Sequence, residues 1–126
     1  MIRAALALVL FSSGPGLACG LGGRALAPAE SDAPQAYVRF ETIPLAQPFA
    51  LEVEVCGGRD VDDLRVDAIM PAHQHGMNYV PRVTATGHDV FKVEGMLFHM
   101  PGLWQLQVDV QLQERVVHYT YPIELR

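Results

Sequence analysis

Residues 104–125 read WQLQVDVQLQERVVHYTYPIEL, and this stretch decides the fold class. Apolar and polar residues alternate on both sides of Gln113-Glu114, where the break in the pattern predicts a turn. A period of two is the repeat of a β-strand, because successive side chains point to opposite faces. The pattern therefore predicts two antiparallel strands, each with one buried and one wet face, and it places Trp104 in the core.

Shorter segments with the same alternation precede this pair. They centre on residues 38–40, 49–55, 64–70, 83–85 and 91–93 and are separated by loops rich in Gly and Pro. About seven short strands without a helix are typical of two packed sheets of immunoglobulin-like type. We therefore assign residues 37–126 to one all-β domain, an immunoglobulin-like β-sandwich of about seven antiparallel strands.

The first residues have the layout of an export signal. Arg3 gives a positive start, residues 4–11 form the apolar run AALALVLF, and residues 12–16 (SSGPG) end it. The run is far shorter than the ~20 residues that a membrane-spanning helix needs. We predict a signal peptide over residues 1–18, no transmembrane span, and a periplasmic or otherwise extracytoplasmic protein.

Two cysteines and a Gly/Ala/Pro-rich segment follow the signal. Ala18 before Cys19 resembles a bacterial lipoprotein site, so a lipid anchor at Cys19 and plain cleavage are both open. The composition of residues 19–36 predicts a flexible tether. We interpret Cys56 as a semi-buried thiol at a strand end, with a Cys19–Cys56 disulfide as the alternative.

The charge balance excludes some classes of function. The chain has 9 basic and 14 acidic residues and a net charge of −5. An acidic domain without a polybasic stretch is not expected to bind nucleic acid through its phosphates or anionic lipid. No Ser/His/Asp grouping, phosphate-binding Gly loop or pair of catalytic carboxylates stands out, so we do not expect an enzyme.

A His/Met cluster interrupts the strand pattern at residues 70–77, MPAHQHGM. Apart from Met1, every methionine lies between positions 70 and 100, and so do four of the five histidines. Thioether sulfur suits Cu(I), imidazole suits both Cu(I) and Cu(II), and zinc normally leaves methionine alone. The cluster therefore predicts a copper site.

The predicted ligands come from two segments. In an extended strand His73, His75 and Met77 would point the same way, and the segment around His99 would add a further ligand. His88 and His118 are predicted to be ordinary surface histidines. The candidate ligands are Met70, His73, His75, Met77, His99 and Met100.

Two strings carry a family likeness. MPAHQHGMNYVPRV at 70–83 and VFKVEGMLFHMPGLWQLQVDV at 90–110 resemble the motifs of YtkA-like and FixH-like exported domains. The resemblance extends over residues 37–125 and implies an immunoglobulin-like sandwich associated with copper handling and respiratory oxidase assembly. It carries over Met70, His73, His75 and Met77, and His99 and Met100 match the second motif more loosely.

Two functions are consistent with the sequence. The first is an extracytoplasmic copper-binding protein that buffers copper or delivers it to a cuproprotein or an assembly factor. The alternative is a metal-free sandwich that binds a protein partner through loops 70–82 and 95–103. Metal retained per chain after copper loading and desalting distinguishes them.

Overall fold

The structure is a computed structural model that describes residues 19–20, 22–57 and 60–126. Within this part the protein is all-β, with ten strands and no helix. The predicted signal peptide, residues 1–18, lies outside the described residues. A search of the described part for a helix long and apolar enough to cross a membrane finds none.

The strands form two antiparallel sheets of five strands each. One sheet contains β1 (Arg24–Ala25), β3 (Ala36–Arg39), β4 (Phe49–Val55), β7 (Arg82–Gly87) and β8 (Val90–Met96), in the order β1-β3-β4-β8-β7. The other contains β2 (Ala27–Pro28), β5 (Asp63–Met70), β6 (His75–Gly76), β9 (Gly102–Leu112) and β10 (Arg115–Leu125), in the order β2-β10-β9-β5-β6. One hydrophobic core takes side chains from both sheets, as in a β-sandwich.

The hairpin of β9 and β10 is the longest pairing. Its register runs from Arg115 opposite Leu112 to Leu125 opposite Gly102, and the turn lies at Gln113-Glu114 as predicted. Trp104 is fully buried, which confirms its predicted place in the core. The inward side chains beside it are also buried: Leu106, Val108, Val110, Leu112, Val117, Tyr119, Ile123 and Leu125.

Ten strands are more than the roughly seven predicted from alternation. β1, β2 and β6 account for the difference, and each has two residues. A strand of two residues is too short to show a period of two, so alternation does not reveal it.

The segment before β3 differs from the predicted flexible tether. β1 pairs with β3 in one sheet and β2 pairs with β10 in the other, so residues 22–35 cross from sheet to sheet. Leu26, between the two strands, is 4% exposed, and its N–H donates to the carbonyl of Ala36. We call residues 22–35 the strap. Burial of one apolar side chain and ladder hydrogen bonds hold it in place despite its composition.

Cys56 is not a free thiol, in contrast to our interpretation from the sequence. It forms a disulfide with Cys19, with the two Cα atoms 5.8 Å apart. Cys56 directly follows β4, and its N–H donates to the carbonyl of Gln35 at the end of the strap. A sulfur in a disulfide has no valence left for a lipid, so this pairing and lipidation of Cys19 exclude one another.

Candidate metal centre

The His/Met segment folds as a hairpin at the end of β5. The N–H of His73 donates to the carbonyl of Met70 at 3.2 Å, which closes a turn with Pro71 at its second position. β6 then pairs with β5, with His75 opposite Met70 and Gly76 opposite Ile69. Gln74 has a φ of 52°, the left-handed conformation that lets the chain reverse.

The predicted extended run from His73 to Met77 is therefore wrong. His73 lies in the turn at residues 71–74, and only His75 and Gly76 are in strand conformation. Pro71 explains the difference, since its fixed φ favours the second position of a turn and it has no N–H for a strand ladder. His73 therefore does not share the strand direction that was expected for alternate residues from His73 to Met77.

Three imidazoles nevertheless lie side by side. The ring centroids of His73 and His75 are 6.1 Å apart, and those of His75 and His99 are 6.4 Å apart. His99 comes from the loop between β8 and β9, more than twenty residues further along the chain. All three histidines are exposed. The fold thus brings the two predicted segments together at one end of the sandwich.

An aromatic stack supports the loop of His99. The rings of His99 and Trp104 form a T-shaped pair with centroids 5.4 Å apart, and Trp104 stacks on Phe98 with centroids 4.6 Å apart. The indole Nε1 of Trp104 donates to the carbonyl of Met100 at 3.0 Å. Sequence reasoning missed this second role of Trp104. The signal was its spacing, four residues after Met100, which places the indole under the loop.

The methionines occupy the core side of the same region. Met70 is 1% exposed and Met96 is fully buried, whereas Met77 and Met100 are half-buried against the core. Met70 faces His75 across the strand pair, so both side chains leave the same face of the sheet. A Cβ on Gly102 would lie 2.8 Å from the Met70 methyl, so Gly102 makes room for this thioether.

The local charge limits which ions fit. Residues 42–51, 68–81 and 95–108 contain no Asp, Glu, Lys or Arg. The first of these stretches joins the others where the N–H of Ala46 donates to the carbonyl of Phe98 at 2.8 Å. We call this region the imidazole end: loops 42–48, 71–81 and 97–101. Without carboxylates it does not suit Ca²⁺ or Mg²⁺, which bind oxygen ligands.

The imidazole end is not a closed metal site. Among the described residues, no three His, Cys, Asp or Glu side chains converge to hold an ion. An ion sits about 2 Å from each imidazole nitrogen, so the rings have to turn toward one another before they can share one. Exposed side chains on loops have that rotamer freedom. The nitrogen and sulfur donors are of the chemical type that copper binds, but the side chains must change rotamer before they can share one ion.

His118 lies far from this region, on the outer face of β10. Its Nδ1 is 2.7 Å from the Asp109 carboxylate, and its side chain is 52% exposed. The hydrogen bond to Asp109, together with the charges of Asp109 and Glu30, raises the pKa of His118 above its ordinary value of 6.5. This agrees with the predicted surface position and makes His118 a suitable control for the metal site.

Comparison with known proteins identifies no relative of this chain. No protein-family model matches the chain, and no curated protein or solved structure matches it. The candidate centre therefore rests on its own residues and on the two sequence motifs.

Proposed function

We propose that this protein binds copper outside the cytoplasm through the imidazole end, and that it buffers or delivers the ion without catalysing a reaction. The observation that carries the proposal is the juxtaposition of His73, His75 and His99 from two separate loops. Unrelated surface histidines have no reason to gather at one uncharged end. Protonated imidazolium rings would repel one another at this end. Neutral imidazole rings can instead coordinate a copper ion through their nitrogen atoms.

Accessibility ranks the six candidate ligands. The three imidazoles come first because they are exposed. Met77 and Met100 follow because they are half-buried beside them. Met70 is last, since its side chain packs in the core and has to turn outward to bind. Cu(II) then depends on the imidazoles, and Cu(I) gains more from the thioethers.

We also propose an immunoglobulin-like topology, of the kind found in the resembling YtkA-like and FixH-like domains. In the order β3-β4-β8-β7 and β10-β9-β5, the strands match the ABED and GFC sheets of that fold, with β6 in the place of C′. Delivery to a respiratory oxidase or another cuproprotein follows from the same resemblance. Trp104 departs from the pattern, because it lies on β9 and not on the third strand of the fold.

Export is the second part of the proposal. The sequence of residues 1–18 supports it, and a disulfide is the chemistry of an oxidising compartment. Because Cys19 is used in that disulfide, we favour plain cleavage that leaves Cys19 in the mature chain over a lipid anchor. Mass spectrometry of the protein from cells should find residues 1–18 absent and no lipid on Cys19.

The decisive experiment loads the purified mature protein with Cu(II), or with Cu(I) under reductant and without oxygen. Copper that survives desalting is then measured per chain. The double variant His73→Ala/His75→Ala should bind both ions at least about tenfold more weakly, because it removes two of three imidazoles. His118→Ala should retain both ions. If the double variant bound copper as tightly as the unmutated protein, the site would lie elsewhere.

A methionine variant separates the two oxidation states. Met77→Ala leaves the imidazoles in place and removes one half-buried thioether. It should weaken Cu(I) more than Cu(II), since thioether sulfur is the softer donor. Competition with Cu(I)- and Cu(II)-specific chelators gives the two affinities. An equal loss for both ions would place Met77 in the packing and not among the ligands.

The alternative, a metal-free interaction module in the periplasm, is supported by exposed apolar side chains at the same end. Val80 is 96% exposed and Tyr79 is 52% exposed. Failure of the unmutated protein to retain any copper would favour this second function.

A further inference from the structure

Exposed apolar side chains surround the imidazole end. The described residues contain five large exposed hydrophobics: Leu45, Tyr79, Val80, Leu103 and Val116. Leu45, Tyr79 and Val80 lie in the loops of this end, and Leu103 is the second residue of β9 beside them. Of the five, only Val116 lies at the opposite end. A single exposed apolar residue is ordinary, but several around one site mark a surface that contacts another molecule.

Charged residues border this surface, among them Arg126 next to Leu125, but they lie outside its three loops. Near its border Arg82 is paired with Glu94 at 2.7 Å, and Glu124 is opposite Leu103 on β10. The three loops themselves carry no charged residue, although the chain as a whole has a net charge of −5. Two copies that approach through their outer faces repel one another, whereas approach through the imidazole end carries little like-charge penalty.

The donor set of one chain is open on its solvent side. Three imidazoles lie at the surface and the methionines pack toward the core. Among the described residues no three His, Cys, Asp or Glu side chains converge to hold an ion. Cu(II) prefers four nitrogen or oxygen ligands in a tetragonal arrangement. A second set of imidazoles that faces the first would supply the missing donors.

We infer that copper joins two copies of this chain end to end, with imidazoles of both copies on one shared ion and the apolar side chains forming a rim around it. This inference rests on the proposed copper site. Its stoichiometry is one Cu(II) for two chains. The second copy is the favoured occupant because the uncharged apolar surface with ligands at its centre is self-complementary in charge and in chemistry.

The apolar rim alone is too small to hold the two copies together. A stable interface buries about 800 Å² on each partner, and four partly exposed side chains supply a fraction of that area. The metal therefore provides the remaining affinity, and the protein without metal should be a monomer. Dimerisation becomes a response to copper and not a permanent state.

Sedimentation velocity of the purified mature protein tests the inference. Without metal we expect a monomer at micromolar concentration, with Cu(II) a dimer that holds one ion per two chains, and with excess EDTA a return to monomer. Copper bound by a protein that stays monomeric would overturn the inference and leave the proposed function intact. Absence of bound copper would overturn both.

Variants on the rim separate packing from ligation. Tyr79→Ser/Val80→Ser leaves every candidate ligand in place and should weaken copper-dependent dimerisation at least tenfold. Val116→Ser, which removes an exposed apolar residue from the other end, should leave it unchanged. An equal effect of the two variants would contradict the proposed contribution of the rim to dimerisation. Binding of the metal-free protein to zwitterionic phosphatidylcholine vesicles, lost in Tyr79→Ser/Val80→Ser, would assign the rim to lipid and overturn the inference.

Discussion

The two ends of the sandwich are built from different chemistry. The imidazole end has three uncharged loops, exposed apolar side chains and three exposed rings with no ion pair among them. The opposite end, which we call the strap end, carries the disulfide between Cys19 and Cys56 and the contacts of the strap. The imidazole end is held by backbone hydrogen bonds and by aromatic packing on Trp104, whereas the strap end is also held by a disulfide and by ion pairs.

The contacts at the strap end reach across long stretches of sequence. The phenol of Tyr119 donates to the carbonyl of Pro34 at 2.6 Å, and Arg115 pairs with Asp32 at 2.8 Å. These contacts tie the strap to β10, while the disulfide ties residue 19 to the end of β4. The strap end is therefore cross-linked over long stretches of sequence by covalent and polar contacts.

Removal of Trp104 should have the largest effect, because it lies under the imidazole end and is the largest fully buried side chain. Trp104→Ala should lower the free energy of unfolding by about 3–5 kcal/mol, the range for a buried aromatic. Denaturant unfolding of the metal-free protein measures it. A loss below about 1 kcal/mol would contradict the packing described for β9.

Trp104→Phe sharpens the same test. It keeps an aromatic ring against Phe98 but removes the hydrogen bond from Nε1 to the Met100 carbonyl. We expect a smaller loss of stability than for alanine, together with weaker copper binding, because the loop of His99 loses its support. Unchanged copper affinity would mean that this hydrogen bond does not position the loop.

The core of the fold was accessible from the sequence because long strands show their period. The nine residues of β9 from Trp104 to Leu112 alternate without interruption, and Trp104 falls on the buried face. The strap was not accessible. Its two strands have two residues each, and its pairing depends on β3 and β10, which are distant in sequence. Local composition predicted a tether there because it does not record such partners.

Removal of the disulfide should have the next largest effect. The Cys19→Ser/Cys56→Ser variant opens a loop with a sequence separation of 37 residues. Loop-closure entropy predicts a loss of about 2–4 kcal/mol in the free energy of unfolding. Thermal and denaturant unfolding of the two proteins should show it.

Copper binding by this variant tests the independence of the two ends. The disulfide and the imidazoles lie at opposite ends of β4 and share no contact in the described structure. The folded variant should therefore bind Cu(II) with unchanged affinity. A loss of affinity at a temperature where the variant remains folded would show that the strap end controls the ligand loops.

The proximity of the two His/Met segments was predictable from the sequence, whereas their local geometry was not. The concentration of His and Met between positions 70 and 100 identified the two loops that the fold brings together. The turn at residues 71–74 displaced His73 from the predicted extended run. Burial of Met70 was also hidden, because a thioether serves both as a core side chain and as a ligand.

The smallest predicted effect concerns pH. Acidification should weaken copper binding at the imidazole end, whereas protonation of His118 should stabilise the fold at the strap end. At the imidazole end, protons compete with metal for the ring nitrogens, so acidification should release Cu(II). At the strap end, the His118 imidazolium donates to Asp109 and lies 3.9 Å from Glu30 of the strap. Arg65 lies opposite Asp109 on β5, and its guanidinium donates to Asp63.

The sign at the strap end follows from the raised pKa of His118, whose main cause is the hydrogen bond to Asp109. A group with a pKa higher in the folded than in the unfolded chain stabilises the fold when it is protonated. The contribution is complete below the unfolded value of about 6.5 and is lost as the pH rises through the folded value. It should be small, because the ring is half-exposed and screened by water.

His118→Gln should therefore flatten the fall of the melting temperature of the metal-free protein between about pH 6 and pH 8. If acidification from pH 8 to pH 6 destabilised the unmutated protein more than it destabilised the His118→Gln variant, the pair of His118 and Asp109 would make no net contribution to the stability of the fold.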